Sequence, residues 1–253
     1  MHAIHTPRHT ALDLLRGAAM VWMTAFHFCF DLQYFGYLHT DFYANMFWTV
    51  QRQAIVSLFL FCAGVGQAIA VSQHQPWSRF WRRWAQVGAA ALLVSAASYA
   101  MFPGSYIYFG VLHGMALMLI LGRCAVRLDR WLWPLGALAL CLPILALPLH
   151  SQWELGELLN TRGLNWLGLI SRKPITEDYV PLFPWLGVLL WGVASGNWWL
   201  RRRGVRATDM PATNTPAIGR VLAWLGRNSL PYYLVHQPVL LGVLTLVTQL
   251  NRA

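Results

Sequence analysis

Seven apolar stretches, each close to the length that a helix needs to cross a bilayer, constrain this chain more than any other feature. A helix that crosses the hydrocarbon core needs about 20 mainly apolar residues. The stretches are Ala11–Phe30, Ile55–Val71, Trp84–Phe102, Ile107–Leu121, Trp131–Leu149, Val180–Leu200 and Ser229–Leu250. Hydrophobic residues make up 57% of the chain and charged residues only 11%, against roughly 25% charged in an average soluble domain. The sequence therefore predicts an all-α polytopic membrane protein, a bundle of about seven transmembrane helices.

The formal net charge is +10, but its distribution favours a lipid bilayer as the partner and argues against nucleic acid. A nucleic-acid binder carries its basic residues on a mostly polar surface, whereas these residues separate long apolar stretches. With the N-terminus in the cytoplasm, the inner side receives fourteen basic residues and the outer side five. The inner set is Arg8, Arg16, Arg79, Arg82, Arg83, Arg123, Arg127, Arg130, Arg201, Arg202, Arg203, Arg206, Arg220 and Arg227. This asymmetry predicts a cytoplasmic N-terminus and a C-terminus outside.

No internal repeat or flexible linker divides the sequence, so residues 1–253 are interpreted as one domain. The cysteines lie within or at the ends of apolar stretches, which favours packing over a disulfide framework; they are Cys29, Cys62, Cys124 and Cys141. The sequence contains no nucleotide-binding Walker motif, no zinc-type His-Glu-x-x-His and no Gly-x-Ser-x-Gly. ATP-driven transport and serine or zinc hydrolysis therefore lack support, and no metal is expected.

The first apolar stretch and the residue that follows it contain polar side chains, with Met20 among them, at helical spacing, which places them on one face of a helix. The residues on this face are Asp13, Arg16, Met20, Thr24, His27 and Asp31. Ionisable residues inside a span are costly and by default indicate a pathway or a site. Asp13 and Arg16 are interpreted either as a local ion pair or as part of such a site. His27 and Asp31 are four residues apart, the arrangement in which a carboxylate orients a general base.

Other polar residues at or near membrane depth are candidates with an equally simple structural alternative. His113 and His236 are each either ligand-binding or hydrogen-bonded within the bundle. Asn228 and Ser229 precede the last stretch, where they are expected to cap its helix and are candidates for contacting a ligand.

Four motifs, in order along the chain, resemble one family. The opening Leu12-Asp-Leu-Leu-Arg-Gly-Ala-Ala-Met-Val-Trp-Met-Thr-Ala-Phe-His27 is similar to the first-span signature of transmembrane acyltransferases. Its continuation through Asp31 to His39 resembles the heparan-α-glucosaminide N-acetyltransferase catalytic domain and its bacterial relatives. Further matches are Tyr108-Phe-Gly-Val-Leu-His-Gly-Met115, Pro181-Leu-Phe-Pro-Trp-Leu-Gly187 and Leu225-Gly-Arg-Asn-Ser-Leu-Pro-Tyr-Tyr-Leu-Val-His-Gln-Pro-Val239.

The resemblance implies an acetyltransferase in the bacterial inner membrane that takes an acetyl group from cytoplasmic acetyl-CoA. The acceptor would be an amino or hydroxyl group of a saccharide at the outer side. His39 matches the histidine taken as catalytic in the lysosomal enzyme, while the wider superfamily has histidine at the position of His27, so both are candidate bases, with Asp31 or Asp41 to orient them. The residues assigned to acetyl-CoA are Arg16, Asp13, His113, Asn228, Ser229 and His236.

The same polar residues are compatible with two other functions. A proton-linked transporter or flippase would use the polar face between Asp13 and Asp31 as its pathway. A non-catalytic membrane subunit would use its buried histidines only to pack helices. A homodimer is a further possibility that the sequence does not decide.

Overall fold

The computed structural model describes residues 10–151, 153–203 and 216–251. Within these ranges the chain forms α-helices, short 3₁₀ helices and an isolated parallel bridge between Phe109 and Tyr179, but no strand. The α-helices are α1 Thr10–Tyr34, α2 Met46–Ser72, α3 Trp77–Met101, α4 Val111–Ala125, α5 Leu132–Leu145, α6 Trp153–Asn160, α7 Trp185–Arg203, α8 Ala217–Arg227 and α9 Ser229–Leu250. The predicted all-α class is confirmed for the described residues.

Four helical segments of the described chain are long and apolar enough to cross a membrane. They are Met46–Ser72, Trp77–Met101, Val111–Ser151 and Ser229–Leu250, and they identify an integral membrane protein. The predicted spans at residues 11–30 and 180–200 correspond to α1 and α7, which are not among the four. Charged residues lower the mean hydropathy of both, in α1 along its polar face and in α7 at its C-terminal arginines. The count of seven spans and the orientation in the membrane stay predictions.

Helix bounds differ most from the sequence prediction where an apolar stretch continues into a polar flank. Helix α2 begins at Met46, ahead of the predicted Ile55, whereas α9 has the predicted bounds. Helices α6 and α8 were not predicted. Each is too short to cross the hydrocarbon core, which needs about 20 residues, so neither produces a membrane-length apolar signal.

The chain divides into two compact units. The first comprises Met1–Phe59 and Thr208–Ala253, and the second comprises Leu60–Ala207. The boundary on the N-terminal side falls within α2. The one-domain interpretation of the sequence stays a prediction.

In the first unit α1 packs against α8 with almost no side chain between the two backbones. A Cβ built on Gly17 of α1 would lie 1.9 Å from the carbonyl oxygen of Leu222 in α8. A Cβ on Gly226 of α8 would lie 1.9 Å from the carbonyl oxygen of Asp13 in α1. Glycine at these positions is therefore what permits the close approach of the helices.

Helices α1 and α9 of the first unit run parallel. Thr24 contacts Tyr232 and His27 contacts His236, so residue numbers rise together along the two helices. Beyond the end of α1, Tyr37 contacts Thr248 in the same order. The N-terminal ends of α1 and α9 therefore lie at one end of this unit and their C-terminal ends at the other.

An aromatic cluster packs the C-terminal end of α1 against the beginning of α2. The ring of Phe42, in the connecting loop, stacks on Trp48 at 4.2 Å between centroids and meets Phe26 of α1 edge to face. Phe42, with 2% of its surface exposed, and Ile55 of α2 are buried with Met20 and other residues of α1 in the same core. This packing fixes the loop that carries His39.

The second unit contains the remainder of α2 and helices α3 to α7. The indole nitrogen of Trp84 in α3 donates a hydrogen bond to the carbonyl oxygen of Ala116 in α4. Helices α5 and α7 approach closely at Gly136 and Gly187, since a Cβ on Gly187 would lie 2.5 Å from the carbonyl oxygen of Gly136. Between α4 and α5 a 3₁₀ turn contains Asp129 at a φ of 52°, which bends the chain between the two helices.

Candidate active site

Three polar contacts join α1 to α9, and all three use residues of the predicted polar face. Thr24 contacts Tyr232, His27 contacts His236, and Asp31 contacts Gln237. The spacing of three and four residues on α1 turns these side chains toward one neighbour. The prediction that they share a helix face is confirmed, and the surface they face is α9.

The hydrogen-bond partners of the two histidines determine which nitrogen carries each proton in the neutral pair. Nδ1 of His236 lies 2.7 Å from the carbonyl oxygen of Tyr233, which can only accept, so this nitrogen carries the proton. Nε2 of neutral His236 is then an acceptor, and Nδ1 of His27, 2.9 Å away, donates to it. Nε2 of His27 is left with its lone pair. No described residue forms a hydrogen bond with that nitrogen, so it is available as a proton acceptor.

A second ordered contact lies closer to the N-terminal ends of the two helices. The hydroxyl of Thr24 donates to the carbonyl oxygen of Met20, one turn earlier in α1, at 2.8 Å. Its only proton is then committed, so the hydroxyl of Tyr232 donates to Thr24, also at 2.8 Å. The ring of Tyr232 stacks on that of His236 with an interplanar angle of 7°. Together these contacts restrict rotation of the His236 ring.

The third contact contains a carboxyl group that is almost completely buried. Asp31 is 1% exposed, and its Oδ1 accepts a hydrogen bond of 2.7 Å from the amide nitrogen of Gln237. Oδ2 of Asp31 and Oε1 of Gln237 are also buried, and neither has a hydrogen-bond partner among the described residues. Two acceptor oxygens are therefore left without donors in this pair.

The structure corrects the predicted partner of His27. The sequence pairs His27 with Asp31, four residues later, but the hydrogen bond of His27 is made to His236 and that of Asp31 to Gln237. A parallel neighbouring helix offers each side chain a partner across the interface, which the spacing within α1 cannot reveal. Gln237 is also a residue that the sequence analysis missed. A search for ionisable groups passes over a neutral amide, although Gln237 directly follows His236 in a motif already identified.

His39 lies in the loop between α1 and α2, and its side chain is exposed. The predicted partner Asp41 is engaged elsewhere, because its Oδ1 accepts hydrogen bonds from the backbone N–H groups of Ala44 and Tyr43. These bonds hold the pKa of the Asp41 carboxyl below its ordinary value. Asp41 thus stabilises the turn that follows and does not orient His39.

At the N-terminal end of α1, Asp13 and Arg16 form an ion pair with 4.0 Å between oxygen and nitrogen. Both side chains are partly buried, at 14% and 27% exposure. Asn228 stands at the N-cap position of α9 but makes no capping bond; its amide nitrogen donates backward to the carbonyl oxygen of Trp224. Ser229 is the first residue of α9. Because α1 and α9 are parallel, these four residues belong to the same end of the first unit.

His113 belongs to the second unit, and internal hydrogen bonds occupy both of its ring nitrogens. The backbone N–H of Gly110 donates to Nδ1 at 3.3 Å, so the neutral ring carries its proton on Nε2. Nε2 lies 3.1 Å from the hydroxyl of Ser95, which in turn donates to the carbonyl oxygen of Ile107. This arrangement favours the structural alternative for His113 over binding of acetyl-CoA.

Replacement of His113 by alanine is expected to lower stability without changing the affinity for acetyl-CoA, the donor that the sequence resemblance implies. The change leaves the backbone N–H of Gly110 without a partner, while Ser95 keeps its hydrogen bond to Ile107. The loss of a buried hydrogen-bond partner costs about 1–3 kcal/mol. Thermal unfolding and equilibrium binding of acetyl-CoA, both in detergent, check the two halves of this expectation. A markedly weaker affinity in a variant that remains folded would instead support the predicted role in binding.

Residues suited to hold a metal ion are not grouped in the described ranges, where no cluster of three or more His, Cys, Asp or Glu side chains occurs. The α1–α9 contact offers a half-buried histidine base and buried acceptor oxygens. A histidine with a free ring nitrogen can remove a proton from an attacking amine or hydroxyl.

A family model described as heparan-alpha-glucosaminide N-acetyltransferase, catalytic, matches residues 8–238. The match includes α1 and the part of α9 that carries Tyr232, His236 and Gln237. No curated protein and no solved structure matches the chain.

Proposed function

Because the chain belongs to the heparan-alpha-glucosaminide N-acetyltransferase catalytic family, we propose that it transfers an acetyl group from acetyl-CoA to a saccharide across a membrane. The donor binds from the cytoplasm, and the acceptor is an amino or hydroxyl group at the outer side of the bacterial inner membrane. The family match supports a membrane acetyltransferase, while the side chains of the first unit support the finer assignments.

His27 is the proposed general base, and the observation that carries this assignment is the unpartnered Nε2 of its ring. His236 accepts the proton of Nδ1 and fixes the tautomer in which Nε2 is basic. In the reaction the acceptor nitrogen or oxygen bonds to the acetyl carbon, and the bond from that carbon to sulfur breaks. The acceptor proton passes to Nε2 of His27, and the CoA thiolate leaves and takes up a proton. Proton transfer by a positioned side chain accelerates such steps by about 10²–10⁴-fold.

His39 is the second candidate base. Its exposure in the loop supports access by a large acceptor, and the resemblance aligns it with the histidine taken as catalytic in the lysosomal enzyme. It has no orienting hydrogen bond among the described residues, whereas His27 has one. This difference favours His27 for the proton transfer.

Arg16, Asp13, Asn228 and Ser229 are proposed to bind acetyl-CoA at the N-terminal ends of α1 and α9. An arginine presents several donors in a fork that matches phosphate oxygens, and Asp13, at 4.0 Å, holds its guanidinium in place. The N-terminal ends of parallel helices emerge at the same side, which the inner excess of arginine predicts to be the cytoplasm. His27 lies about 16 Å further along α1 from Arg16, at 1.5 Å per residue, which leaves room for an extended donor between them.

The experiment that tests this function measures transfer from labelled acetyl-CoA by the full chain in lipid nanodiscs. Glucosamine, glucose and longer glycans with a free amino group serve as acceptors, and free CoA thiol is measured in parallel. We expect labelled product and thiol in equal amounts, with neither formed when the acceptor is omitted. Substrate movement across proteoliposomes that depends on pH and needs no CoA would instead support the transporter hypothesis, which the α1 polar face also suits.

A further inference from the structure

The contact between Asp31 and Gln237 contains two buried acceptor oxygens that the proton transfer by His27 does not use. Oδ2 of Asp31 and Oε1 of Gln237 receive no hydrogen bond from any described residue. The remaining oxygen and nitrogen of the same two groups bond to each other at 2.7 Å. One oxygen of Asp31 and the amide nitrogen of Gln237 are therefore paired, and one buried oxygen of each group lacks a donor.

Such an arrangement is costly unless a donor-rich group completes it. Buried polar groups in proteins are almost always hydrogen-bonded, and an unpaired buried acceptor needs a specific explanation. A buried carboxylate adds the cost of an uncompensated negative charge. A positively charged group with several N–H donors would satisfy both oxygens and the charge together.

We propose that Asp31 and Gln237 form the subsite that receives the amino group of the acceptor in its ammonium form. The proposal rests on the proposed acetyl transfer and adds the residues that select an amine. An ammonium group has three N–H donors, enough for Oδ2 of Asp31 and Oε1 of Gln237 with one to spare. His27 is one turn away on the same helix face, where residues four apart have Cβ atoms about 5–6 Å from each other. Nε2 of His27 can take the first ammonium proton, which frees the nitrogen lone pair for attack on the acetyl carbon. The second proton leaves the nitrogen as the amide forms and is taken up by the departing CoA thiolate.

In the alternative explanation, Asp31 and Gln237 satisfy each other's oxygens without a ligand. If Asp31 is protonated, its Oδ2–H can donate to Oε1 of Gln237, and both oxygens are satisfied without a ligand. That arrangement has no charge to attract an ammonium group. It therefore predicts no preference for an amine over a hydroxyl group.

The test compares equilibrium binding of glucosamine and glucose to the full chain in nanodiscs, without acetyl-CoA. The two sugars differ only in the ammonium or hydroxyl group at one carbon. We expect the wild-type chain to bind glucosamine about tenfold or more tightly than glucose, as a charge-assisted hydrogen bond provides. In Asp31→Asn, which keeps the shape and replaces the carboxylate by an amide, the ratio is expected to fall to about twofold or less. Equal affinities in the wild type, or an unchanged ratio in Asp31→Asn, would overturn the proposal.

Matched variants separate this role from general damage. Asp129→Asn removes an exposed carboxylate that pairs with Arg201 in the second unit, at a left-handed φ that asparagine tolerates, and its glucosamine preference is expected to equal that of the wild type. Gln237→Leu removes the second acceptor and is expected to reduce the preference even if Asp31→Asn does not fold. Binding with the expected selectivity but no acetyl transfer contradicts the proposed function alone. Transfer that proceeds without amine selectivity contradicts this subsite alone.

Discussion

Replacement of His27 by glutamine is expected to lower the rate of acetyl transfer by about 10²–10⁴-fold, the contribution of a positioned general base. The glutamine amide can still donate a hydrogen bond to Nε2 of His236, so the contact between α1 and α9 is kept. The glutamine amide cannot accept the proton that Nε2 of His27 would receive. The rate of CoA release in the presence of saturating acceptor and donor measures the effect, and the KM for acetyl-CoA is expected to change little.

Two further histidine variants make this result specific. His74→Asn alters an exposed turn residue at a φ of 53°, in the second unit, and is expected to retain full activity. His39→Gln tests the second candidate base. Full activity in His27→Gln together with loss in His39→Gln would reverse the assignment, and full activity in both would exclude a histidine base at either position.

Replacement of Gly17 by alanine is expected to destabilise the first unit strongly. The added Cβ would lie 1.9 Å from the carbonyl oxygen of Leu222, a distance that real Cβ atoms essentially never show. Because the obstruction is backbone, α1 and α8 must move apart, and overpacking of this kind costs about 1–3 kcal/mol, occasionally more. Thermal unfolding in detergent measures the loss. Activity should fall as well, since the same helix carries His27.

Gly242→Ala is the matched control for this prediction. Gly242 also lies within a helix of the first unit, α9, but a Cβ there meets no atom within 4 Å. Alanine is favoured over glycine in a helix by about 0.8–1 kcal/mol, so this variant is expected to be as stable as the wild type or slightly more stable. Equal melting temperatures for the Gly17 and Gly242 variants would show that the backbones do not approach as described.

The helical class and the positions of the long apolar helices could be predicted because both follow from the local composition of the chain. The bounds of α9 were predicted, and the remaining apolar stretches each overlap a helix. The polar face of α1 was also predictable, since a spacing of three and four residues fixes a common direction on any α-helix. Short helices such as α6 escaped prediction because they lack a membrane-length apolar stretch.

The candidate site could be predicted only in part. His27, Asp31 and His236 were identified because ionisable groups in a span are costly, but their partners depend on which helix lies next to α1 and in which direction it runs. That choice involves residues more than 200 positions apart. For His113 the sequence leaves two roles open, because a histidine with both nitrogens bonded within its own unit has the same sequence signal as one that binds a ligand.

The sequence alone determined that this chain is a helical membrane protein of the acetyltransferase family, because apolar length, charge distribution and motif order are properties of the chain itself. The tertiary structure decided which oxygens and nitrogens remain free. Close approach at Gly17 and Gly226 sets α8 against α1, and the parallel α9 then gives His27 a histidine partner and Asp31 an amide. Hydrogen-bond partners across a helix interface depend on how distant segments of the chain pack, and the spacing of residues within one helix does not determine that packing.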